Sequence, residues 1–509
     1  MTKFLVVALL LTLAACGNIQ GGDGGEGVAA VRPSRVAPSD LRAEVTDARL
    51  TRFYEARGWQ PAWNATSAAA LVQAIRGAAR HALDADAFLA PAVRSDAPAA
   101  REAGLSLAAL SYADALARGR VDPKRLRGNY AVPRPEPDLD AGLNQAIEQG
   151  NVGSWLEGLA PQDDEYRRLS EAYVAATREG AGERPAPIPE GGAIRPGGTD
   201  PRVPAIAAAL RARGYLPAPP EIQAGAPGQV YGGELAEAVR RLQEDHGLEA
   251  GGAIDAATLA ALNRDGLDRA RTLAVNLERR RWLPRQAPAR RIDVNIAGAF
   301  LTYWRDGRFA DRRRVIVGQP GNETPELASP IYRLVAHPTW TVPESIAEEE
   351  ILPKGSGYMQ RNNMVIRDGM IVQQSGPDNA LGQVKFDMRN DQAIYLHDTP
   401  AKALFAEDLR HFSHGCVRVQ DALGFAAMIA GQEGVTDDWR EALATDEETF
   451  VPLPREIVVR LLYHSAFVEG GRVRFRPDVY GLDEDVAEAL GLAARPRPQR
   501  RPHVADVGP

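Results

Sequence analysis

Side chains with redox, nucleophilic or metal-binding chemistry are scarce in this sequence. Its 509 residues include only two cysteines and eight histidines. Two cysteines cannot build the disulfide framework of a small secreted scaffold, and they lack the spacing of a structural zinc site. No stretch is long and apolar enough to span a bilayer as a mature helix. The net charge of −7 argues against a nucleic acid partner, because a phosphate backbone attracts basic surfaces.

Glycine and proline are abundant instead, with 48 and 37 residues, which fits about two to four domains joined by linkers. Composition and periodicity divide the chain into segments with predicted boundaries. These are 1–16, a signal peptide; 17–40, a flexible tether; 41–180, a helical region; 181–199, a linker; 200–264, a compact helical module; 265–289, a connecting helix; 290–494, a β-rich region; and 495–509, a Pro- and Arg-rich disordered tail.

The first 16 residues have the pattern of an export signal. One lysine precedes an apolar segment from Phe4 to Leu13, which leads into the sequence Ala-Ala-Cys. This pattern resembles a bacterial lipoprotein signal, so we expect cleavage before Cys16 and its lipidation. An ordinary signal peptide is the alternative. Gly17 follows the cysteine, and by the sorting rule of such lipoproteins this favours an outer-membrane anchor facing the periplasm.

Apolar residues spaced three and four apart predict the helices of the first half. In the helical region they are predicted at Leu41–Arg57, Ala68–His81 and Leu105–Arg118. In the module, Asp200 is expected to cap a first helix with Pro201 at its first position, and further helices are predicted at Gly233–His246 and Asp255–Leu262. The basic residues of Asn276–Pro284 are interpreted as a solvated helix face.

Beyond residue 290 the apolar pattern becomes strand-like. Asp306-Gly307 is a strong hairpin signal. Strands are predicted at Arg291–Ile296, Ala299–Arg305, Phe309–Val317, Ile331–Ala336, Met364–Arg367, Met370–Gln373, Ile457–Phe467 and Arg472–Phe475, and helices at Glu344–Leu352, Val419–Ala430, Asp437–Ala444 and Asp483–Leu492. We therefore expect a mainly-β domain, a sandwich or an open barrel.

The most reactive side chains lie between residues 394 and 421. Cys416 has no intramolecular disulfide partner once Cys16 is assigned to processing. It follows the sequence Ser-His-Gly and precedes a predicted helix. We therefore expect it on a loop at a helix N-terminus, which favours a thiolate. Gly415 permits a tight turn, and the amides of His414, Gly415 and Cys416 are expected to converge as an oxyanion hole.

Three histidines lie close to Cys416 in sequence. A thiol nucleophile needs an imidazole within hydrogen-bond reach. His397 ends a β-like run, so a rigid element carries it and makes it the candidate base. Asp398 follows and is expected to orient the ring, by its side chain or its backbone carbonyl. His411 is expected to make structural hydrogen bonds, and for His414 that interpretation stays open.

A buried, inert cysteine and a zinc site are the alternatives to a nucleophile. A lone cysteine is often a small buried hydrophobe. The polar, glycine-bearing sequence around Cys416 is poor core material, which disfavours that alternative. A zinc site built from His397, His411, His414 and Cys416 has no familiar ligand spacing. We therefore expect neither a metal nor another cofactor.

The pattern H-x15-S-H-G-C-x-R, from His397 to Arg418, resembles the catalytic signature of the L,D-transpeptidases of the YkuD type. This resemblance implies that Cys416 attacks the carbonyl of a meso-diaminopimelate–D-alanine bond in a peptidoglycan stem. It makes His397 the base, and His414 with Gly415 the backbone oxyanion donors. Arg418 suits a substrate carboxylate, because its guanidinium is a planar fork of donors. The other expected substrate-binding residues are Ser413, Tyr395, Trp340 and Asn379.

Two further segments are similar to family motifs and are expected to line the substrate cleft. His337–Pro343 carries Trp340, a candidate wall for the stem peptide, and Ser375–Gly382 carries Asn379 in a turn-rich sequence. Their alternative is turn chemistry without a substrate role. Residues 356–375 are few compared with the lid insertion of many large family members, so a reduced lid is expected.

The two helical regions also resemble parts of the large L,D-transpeptidases. The sequence Phe53–Trp63 is similar to their scaffold domain. Ala238–Leu248 and Ala257–Asn263 are similar to the three-helix peptidoglycan-binding domain, for which a plain spacer is the alternative. The expected fold is multidomain α+β, with a helical scaffold domain, a three-helix peptidoglycan-binding domain and a mainly-β, β-sandwich-like catalytic domain.

The function that this resemblance implies is the formation of 3-3 cross-links between stem peptides in cell wall biogenesis. Attachment of stems to an outer-membrane protein is an alternative within the same chemistry. Hydrolysis of the thioester would instead make the protein an L,D-carboxypeptidase or an endopeptidase. A third class is a wall-tethering lipoprotein with an inert catalytic domain, against which the pair His397 and Cys416 argues. The expected partners are stem peptides and, through the lipid anchor, a membrane.

Overall fold

The computed structural model describes residues 36–93, 96–182, 186–217 and 230–493. The predicted signal peptide with Cys16, most of the predicted tether and the predicted tail after residue 494 lie outside the described residues. Within the described ranges, no helix has both the length and the apolar character needed to cross a membrane.

The amino-terminal part of the described chain is helical. Its helices are α1 (Pro38–Glu44), α2 (Ala48–Ala56), α3 (Ala65–Arg76), α4 (Ala85–Val93), α5 (Pro98–Arg118), α6 (Pro123–Leu126), α7 (Leu139–Glu148), α8 (Val152–Leu159) and α9 (Asp164–Gly180), with a 3-10 turn at Gly77–His81. The prediction of one helix over Leu41–Arg57 is wrong. Asp47 starts a new helix there, because its carboxylate accepts the amides of Arg49 and Leu50 at 2.9 and 3.0 Å.

A three-helix module follows. It consists of α10 (Val203–Ala212), α11 (Glu234–His246) and α12 (Ala256–Asn263). Ile206, Leu210 and Leu242 are fully buried in its core. The predicted start of the first helix is wrong: α10 begins at Val203, because the Asp200 carboxylate accepts the amide of Arg202 at 2.8 Å and pairs with its guanidinium at 2.9 Å.

Helix α13 (Gly266–Trp282) connects the module to the β-rich part. The interpretation of its basic end as a solvated face is wrong, because Arg279 and Arg281 are only 2% and 0% exposed. Arg281 forms an ion pair with Glu278 at 2.6 Å and donates to the backbone oxygen of His81 at 2.7 Å. Arg279 pairs with Asp483. Such buried charges are tolerated only with partners of this kind.

The carboxy-terminal part of the described chain is rich in strands. They are β1 (Arg291–Asn295), β2 (Phe300–Arg305), β3 (Arg308–Gly318), β4 (Leu327–Ala336), β5 (Trp340–Thr341), β6 (Met364–Arg367), β7 (Met370–Gln373), β8 (Val384–Met388), β9 (Leu396–His397), β10 (His411–Ser413), β11 (Val417–Val419), β12 (Thr449–Leu462), β13 (Ala466–Glu469) and β14 (Arg472–Phe475). The hairpin predicted around Asp306-Gly307 joins β2 to β3. The long strand predicted at Ile457–Phe467 is divided between β12 and β13.

One mixed sheet organises this part, in the strand order β10-β3-β11-β9-β8-β4-β12-β1-β2. It closes on itself because the first part of the long strand β3 pairs with β2, while Val315 and Ile316 further along it pair with β11. Strands β9 and β11 run parallel in the middle of this order, with Leu396 opposite Val417 and His397 opposite Arg418. Two chain segments that are distant in sequence are thereby brought together at the predicted reactive stretch.

Short helices complete the β-rich part. They are α14 (Glu344–Ile346), a π-helical turn at Ala347–Ile351, 3-10 turns at Leu352–Lys354 and Lys402–Ala406, α15 (Ser356–Arg361), α16 (Ala422–Glu433), α17 (Thr436–Ala444) and α18 (Leu482–Ala489). The predicted α+β class is thus confirmed. Residues of α13 and the hairpin β13–β14, including Leu277 and Phe475, also belong to the apolar core of the amino-terminal helices.

Candidate active site

Cys416 lies in a tight turn between strands β10 and β11. The expectation that it sits at a helix N-terminus is wrong, because β11 follows it directly and α16 begins only at Ala422. Gly415 has φ +117°, a conformation that favours glycine. The Ser413 hydroxyl donates to the Cys416 carbonyl at 2.6 Å and accepts the Gly415 amide at 3.2 Å. The Gly415 amide is therefore engaged by Ser413 rather than free to bind an oxyanion.

A second hydroxyl fixes the same turn from outside. Thr324, in the loop after β3, donates through Oγ1 to the Gly415 carbonyl at 2.8 Å and accepts the Gly318 amide at 2.8 Å. Ser413 itself is fully buried, so its expected contact with substrate is not available in this conformation. Ser413 and Thr324 together hold the backbone that presents the thiol.

The Cys416 thiol is buried, with 5% of the residue exposed. Its Sγ donates to the Ala393 carbonyl at 3.7 Å. Burial raises the pKa of the thiol to about 11, although hydrogen bonds from the backbone and side chain of Tyr395, and the charges of Lys385 and Arg418, act in the opposite direction. The expected thiolate is therefore not the form that this environment favours, because desolvation outweighs the nearby donors and cations.

His397, at the end of β9, is fully buried. Among the described residues, neither of its ring nitrogens has a hydrogen-bond partner, so the expected contact with the Cys416 thiol is not formed. Burial, and next the Arg418 and Lys385 charges, lowers its pKa well below the usual value, while the backbones of Asp398 and Leu381 oppose that shift. This environment thus favours a neutral imidazole at the end of β9 and a neutral thiol in the turn directly before β11.

Asp398 does not orient the His397 ring through its side chain. Its carboxylate forms an ion pair with Lys402 and accepts the Gln383 amide at 3.1 Å. The alternative, in which the backbone of Asp398 orients the ring, stays a prediction, because neither ring nitrogen of His397 has a hydrogen-bond partner among the described residues. The side-chain part of the prediction is therefore wrong, because Lys402 takes up the carboxylate.

His414 binds a residue that sequence reasoning missed. Its Nε2 lies 2.5 Å from Oε1 of Glu350, in the π-helical turn Ala347–Ile351. Both side chains are largely buried, at 8% and 16% exposure. The contact joins the turn that carries Cys416 to the π-helical turn Ala347–Ile351, which precedes the segment 356–375 expected to form a reduced lid. In the sequence, the signal for this contact was a run of three glutamates at 348–350, but Glu350 and His414 are 64 positions apart.

Two predicted substrate contacts have structural roles. Trp340 is 1% exposed and packs in a small apolar cluster with Ile346, Ile351 and Ile371. Asn379 is 2% exposed, donates to the Gln374 carbonyl at 2.9 Å and accepts the Leu381 amide at 2.8 Å. Neither Trp340 nor Asn379 is open to a substrate in this conformation, because the segments fold onto themselves, and their predicted roles at the substrate stay predictions.

Tyr395, Lys385 and Arg418 surround the thiol and the imidazole. The Tyr395 ring lies 5.6 Å from that of His397, edge to face, and Lys385 Nζ lies 4.4 Å from the Tyr395 ring centroid. Arg418 is 2% exposed on β11, opposite His397. Burial raises the pKa of the Tyr395 hydroxyl well above its usual value, and the thiol adds to this effect.

Lys385 was not among the residues selected from the sequence. It lies on β8 directly opposite His397, and its Nζ is 2.6 Å from Asp387 Oδ1. The alternation in Val384–Met388 is a weak signal for a strand, and nothing in it indicates which strand it pairs with. No group of three or more His, Cys, Asp or Glu side chains in the described ranges is arranged to hold a metal ion.

Three segments of the chain match known domain families. Residues 48–172 match the family described as "Scaffold domain", residues 199–262 the one described as "Putative peptidoglycan binding domain", and residues 289–446 the "L,D-transpeptidase catalytic domain" of YkuD type. The chain therefore carries an L,D-transpeptidase catalytic domain of the YkuD family, together with a peptidoglycan-binding domain and a scaffold domain. The resemblance read from His397 to Arg418 is confirmed at this level.

A "Putative L,D-transpeptidase" of Haemophilus influenzae is 33% identical over 238 residues, which cover 42% of this chain and 48% of that protein. The chain thus spans about half the length of the curated relative it matches. A solved L,D-transpeptidase fragment from Xylanimonas cellulosilytica is 17% identical, with 54% and 98% of the two chains covered and a TM-score of 0.19. A mutant L,D-transpeptidase from Enterococcus faecium is 12% identical, with 34% and 50% covered and the same TM-score.

Proposed function

We propose that this protein is an acyltransferase that cleaves the diaminopimelate–D-alanine bond of a peptidoglycan tetrapeptide stem and transfers the acyl group to an amine. In the proposed reaction the acceptor is the side-chain amine of a diaminopimelate in a second stem, which gives a 3-3 cross-link. The observation that carries this proposal is the parallel pairing of β9, which ends at His397, with β11, which directly follows Cys416, inside the segment that matches the catalytic domain family.

The first half of the proposed reaction forms a thioester. Cys416 Sγ attacks the carbonyl carbon of the scissile amide, and the thiol proton passes to the His397 imidazole. The carbon–nitrogen bond then breaks, and the imidazolium gives that proton to the departing amine, so that D-alanine leaves as a neutral amine. In the second half the acceptor amine attacks the thioester, its proton passes to His397, and the thiol is regenerated by that proton.

The protonation states of the Cys416 thiol and the His397 imidazole affect how the proposed reaction starts. A raised thiol pKa and a lowered imidazole pKa both oppose proton transfer before substrate arrives. The thiol must also leave the Ala393 carbonyl to reach a substrate or the ring. In such sites, catalytic contacts often tighten only in the substrate complex. We propose that an anionic stem peptide beside Arg418 and Lys385 offsets those cations and thereby favours the imidazolium.

The location follows from the sequence signal rather than from the fold. We propose that lipidated Cys16 anchors the protein to the outer membrane from the periplasmic side, with the peptidoglycan-binding domain holding it to the wall. A carboxyl group on an outer-membrane protein would not serve as the acceptor, because the proposed transfer forms an amide bond and therefore requires an amine. A protein acceptor would therefore offer a lysine or an amino terminus.

The test is mass spectrometry of disaccharide-tetrapeptides incubated with the Cys16→Ser protein. A cross-linked dimer with loss of one D-alanine per bond, absent with Cys416→Ala, is the expected result. Tripeptide monomer alone would show that water resolves the thioester and that the protein is a carboxypeptidase. Cross-links that persist in Cys416→Ala would contradict the assignment of the nucleophile.

A further inference from the structure

A pocket lies where the three-helix module meets the hairpin β13–β14. Its volume is about 450 Å³, which is in the range of small-ligand sites. The residues after α10 supply Arg213 and Tyr215, helix α11 supplies Arg241 and Asp245, and the hairpin supplies Arg472. The pocket exists only because the module is docked on this hairpin.

The docking contacts fix the walls of this pocket. The rings of His246 and Phe475 stack at 5.5 Å, and Arg476 donates to the Asp245 carbonyl at 3.3 Å. Both Arg472 and Arg474 form ion pairs with the Asp245 carboxylate, which also accepts the Tyr215 hydroxyl at 2.7 Å. The single acidic group of the pocket is thus already satisfied by the hairpin.

The remaining charge of the pocket is positive. No carboxylate of the described residues forms an ion pair with Arg213 or Arg241. Arg213 donates to the carbonyls of Ala209, Leu262 and Arg264 at 2.9, 2.6 and 2.7 Å. Burial and the Arg269 charge lower the pKa of its guanidinium, while the charges of Glu179 and Asp265 oppose that shift. Arg241 donates to the Tyr215 carbonyl at 2.6 Å, so both cations are held in place by main-chain oxygens.

We propose that this pocket binds a carboxylate of a peptidoglycan stem peptide. Guanidinium groups that are held in place bind carboxylates through paired hydrogen bonds at low entropic cost, and cations without an ion-pair partner gain from an anion. Stem peptides carry several carboxylates. The choice of ligand rests on the proposed function, whereas the anion preference rests on the pocket. A stem bound here would engage the module and the hairpin together.

The test is titration calorimetry of the Cys416→Ala chain with a disaccharide-tetrapeptide, which is not consumed by this variant. Arg241→Gln removes one pocket cation, and we expect the affinity of this variant for the disaccharide-tetrapeptide to fall at least tenfold. The neighbouring Arg240→Gln is the matched control, because Arg240 pairs with Glu237 and does not line the pocket. We expect the control to bind like its parent. Arg472→Gln alters the hairpin wall of the pocket, and titration of this variant gives a second, independent test of the same affinity.

Equal affinity in the Arg241→Gln, Arg472→Gln and Arg240→Gln chains would overturn the proposal. Stem peptides whose carboxylates are amidated should bind at least tenfold more weakly than the acid form. Inorganic phosphate that binds at this pocket as tightly as the acid stem would also overturn it, since the pocket would then select a phosphate. If binding depends on Arg241 but the wild-type chain makes no cross-links, the pocket proposal stands and the proposed function is rejected. If the wild-type chain makes cross-links but binding does not depend on Arg241, the proposed function stands and the pocket proposal is rejected.

Discussion

The state of the Cys416 thiol makes a quantitative prediction about its reactivity. Burial raises its pKa from 9.0 to about 11. Only the thiolate reacts with iodoacetamide, so each unit of pKa changes the reactive fraction about tenfold below the pKa. The two units correspond to roughly 2.7 kcal/mol and to a reactive fraction about one hundred times smaller near pH 7. The alkylation rate of Cys416 is therefore expected to be low at neutral pH and to increase as the pH rises.

The assay is the rate of alkylation by intact mass across pH 6–10.5, with the Cys16→Ser chain, in which Cys416 is the sole thiol. We expect the logarithm of the rate to rise with a slope near one up to about pH 10, without a plateau. The same chain unfolded in denaturant is the control, and its rate should level off about two pH units lower.

Limited access to the thiol lowers the rate equally at every pH, so the midpoint of the profile, not the rate, decides the question. A plateau with a midpoint below pH 8 in the folded chain would refute the reasoning. It would show that Tyr395, Lys385 and Arg418 together outweigh the cost of desolvation, and that the resting site holds a thiolate and an imidazolium.

Three further changes test individual contacts. Tyr395→Phe removes the side-chain donor that lowers the Cys416 pKa, so alkylation at pH 8–9 should slow by about tenfold, whereas an unchanged rate would exclude that hydrogen bond. Glu350→Gln removes the charge beside His414, so amide hydrogen exchange in 344–361 should accelerate, and unchanged protection would mean that the contact does not hold this segment. Arg281→Ala leaves buried Glu278 without its ion pair and should reduce the free energy of unfolding by about 3–5 kcal/mol in denaturant titration; a loss below about 1 kcal/mol would contradict that contact.

Sequence patterns identified the strands well where burial alternates locally. The hairpin at Asp306-Gly307 and the turn at 469–471 between β13 and β14 are of this kind, since turn residues and apolar alternation lie within a few positions of each other. The predicted helix began at Val419, which is the last residue of strand β11, because the apolar pattern of α16 continues without a break from that residue. The strand Val417–Val419 instead separates Cys416 from the helix, which begins at Ala422.

The residue types of the candidate site were predictable from the sequence, but the protonation states of these residues were not. His397 and Arg418 lie opposite each other on β9 and β11, and Cys416 lies in the turn directly before β11. The pKa values were not predictable, because they depend on burial by strands and turns that lie elsewhere in the sequence. For the same reason, the basic end of α13 was mistaken for a surface. The partners of Arg281 include the His81 carbonyl, 200 positions away.

The position of the hairpin β13–β14 in the helical core has a consequence for how the chain is assembled during synthesis. Phe475 and Ala466 belong to the core built by the first helices, and Arg168 donates to the Gly471 carbonyl across 303 positions of sequence. Chains ordinarily fold domain by domain, starting with what the ribosome delivers first. Here the helices between residues 38 and 180 keep part of their apolar surface uncovered until residues 466–475 have been made. A chain truncated before residue 466 would therefore leave this part of the helical core open to chaperones and proteases.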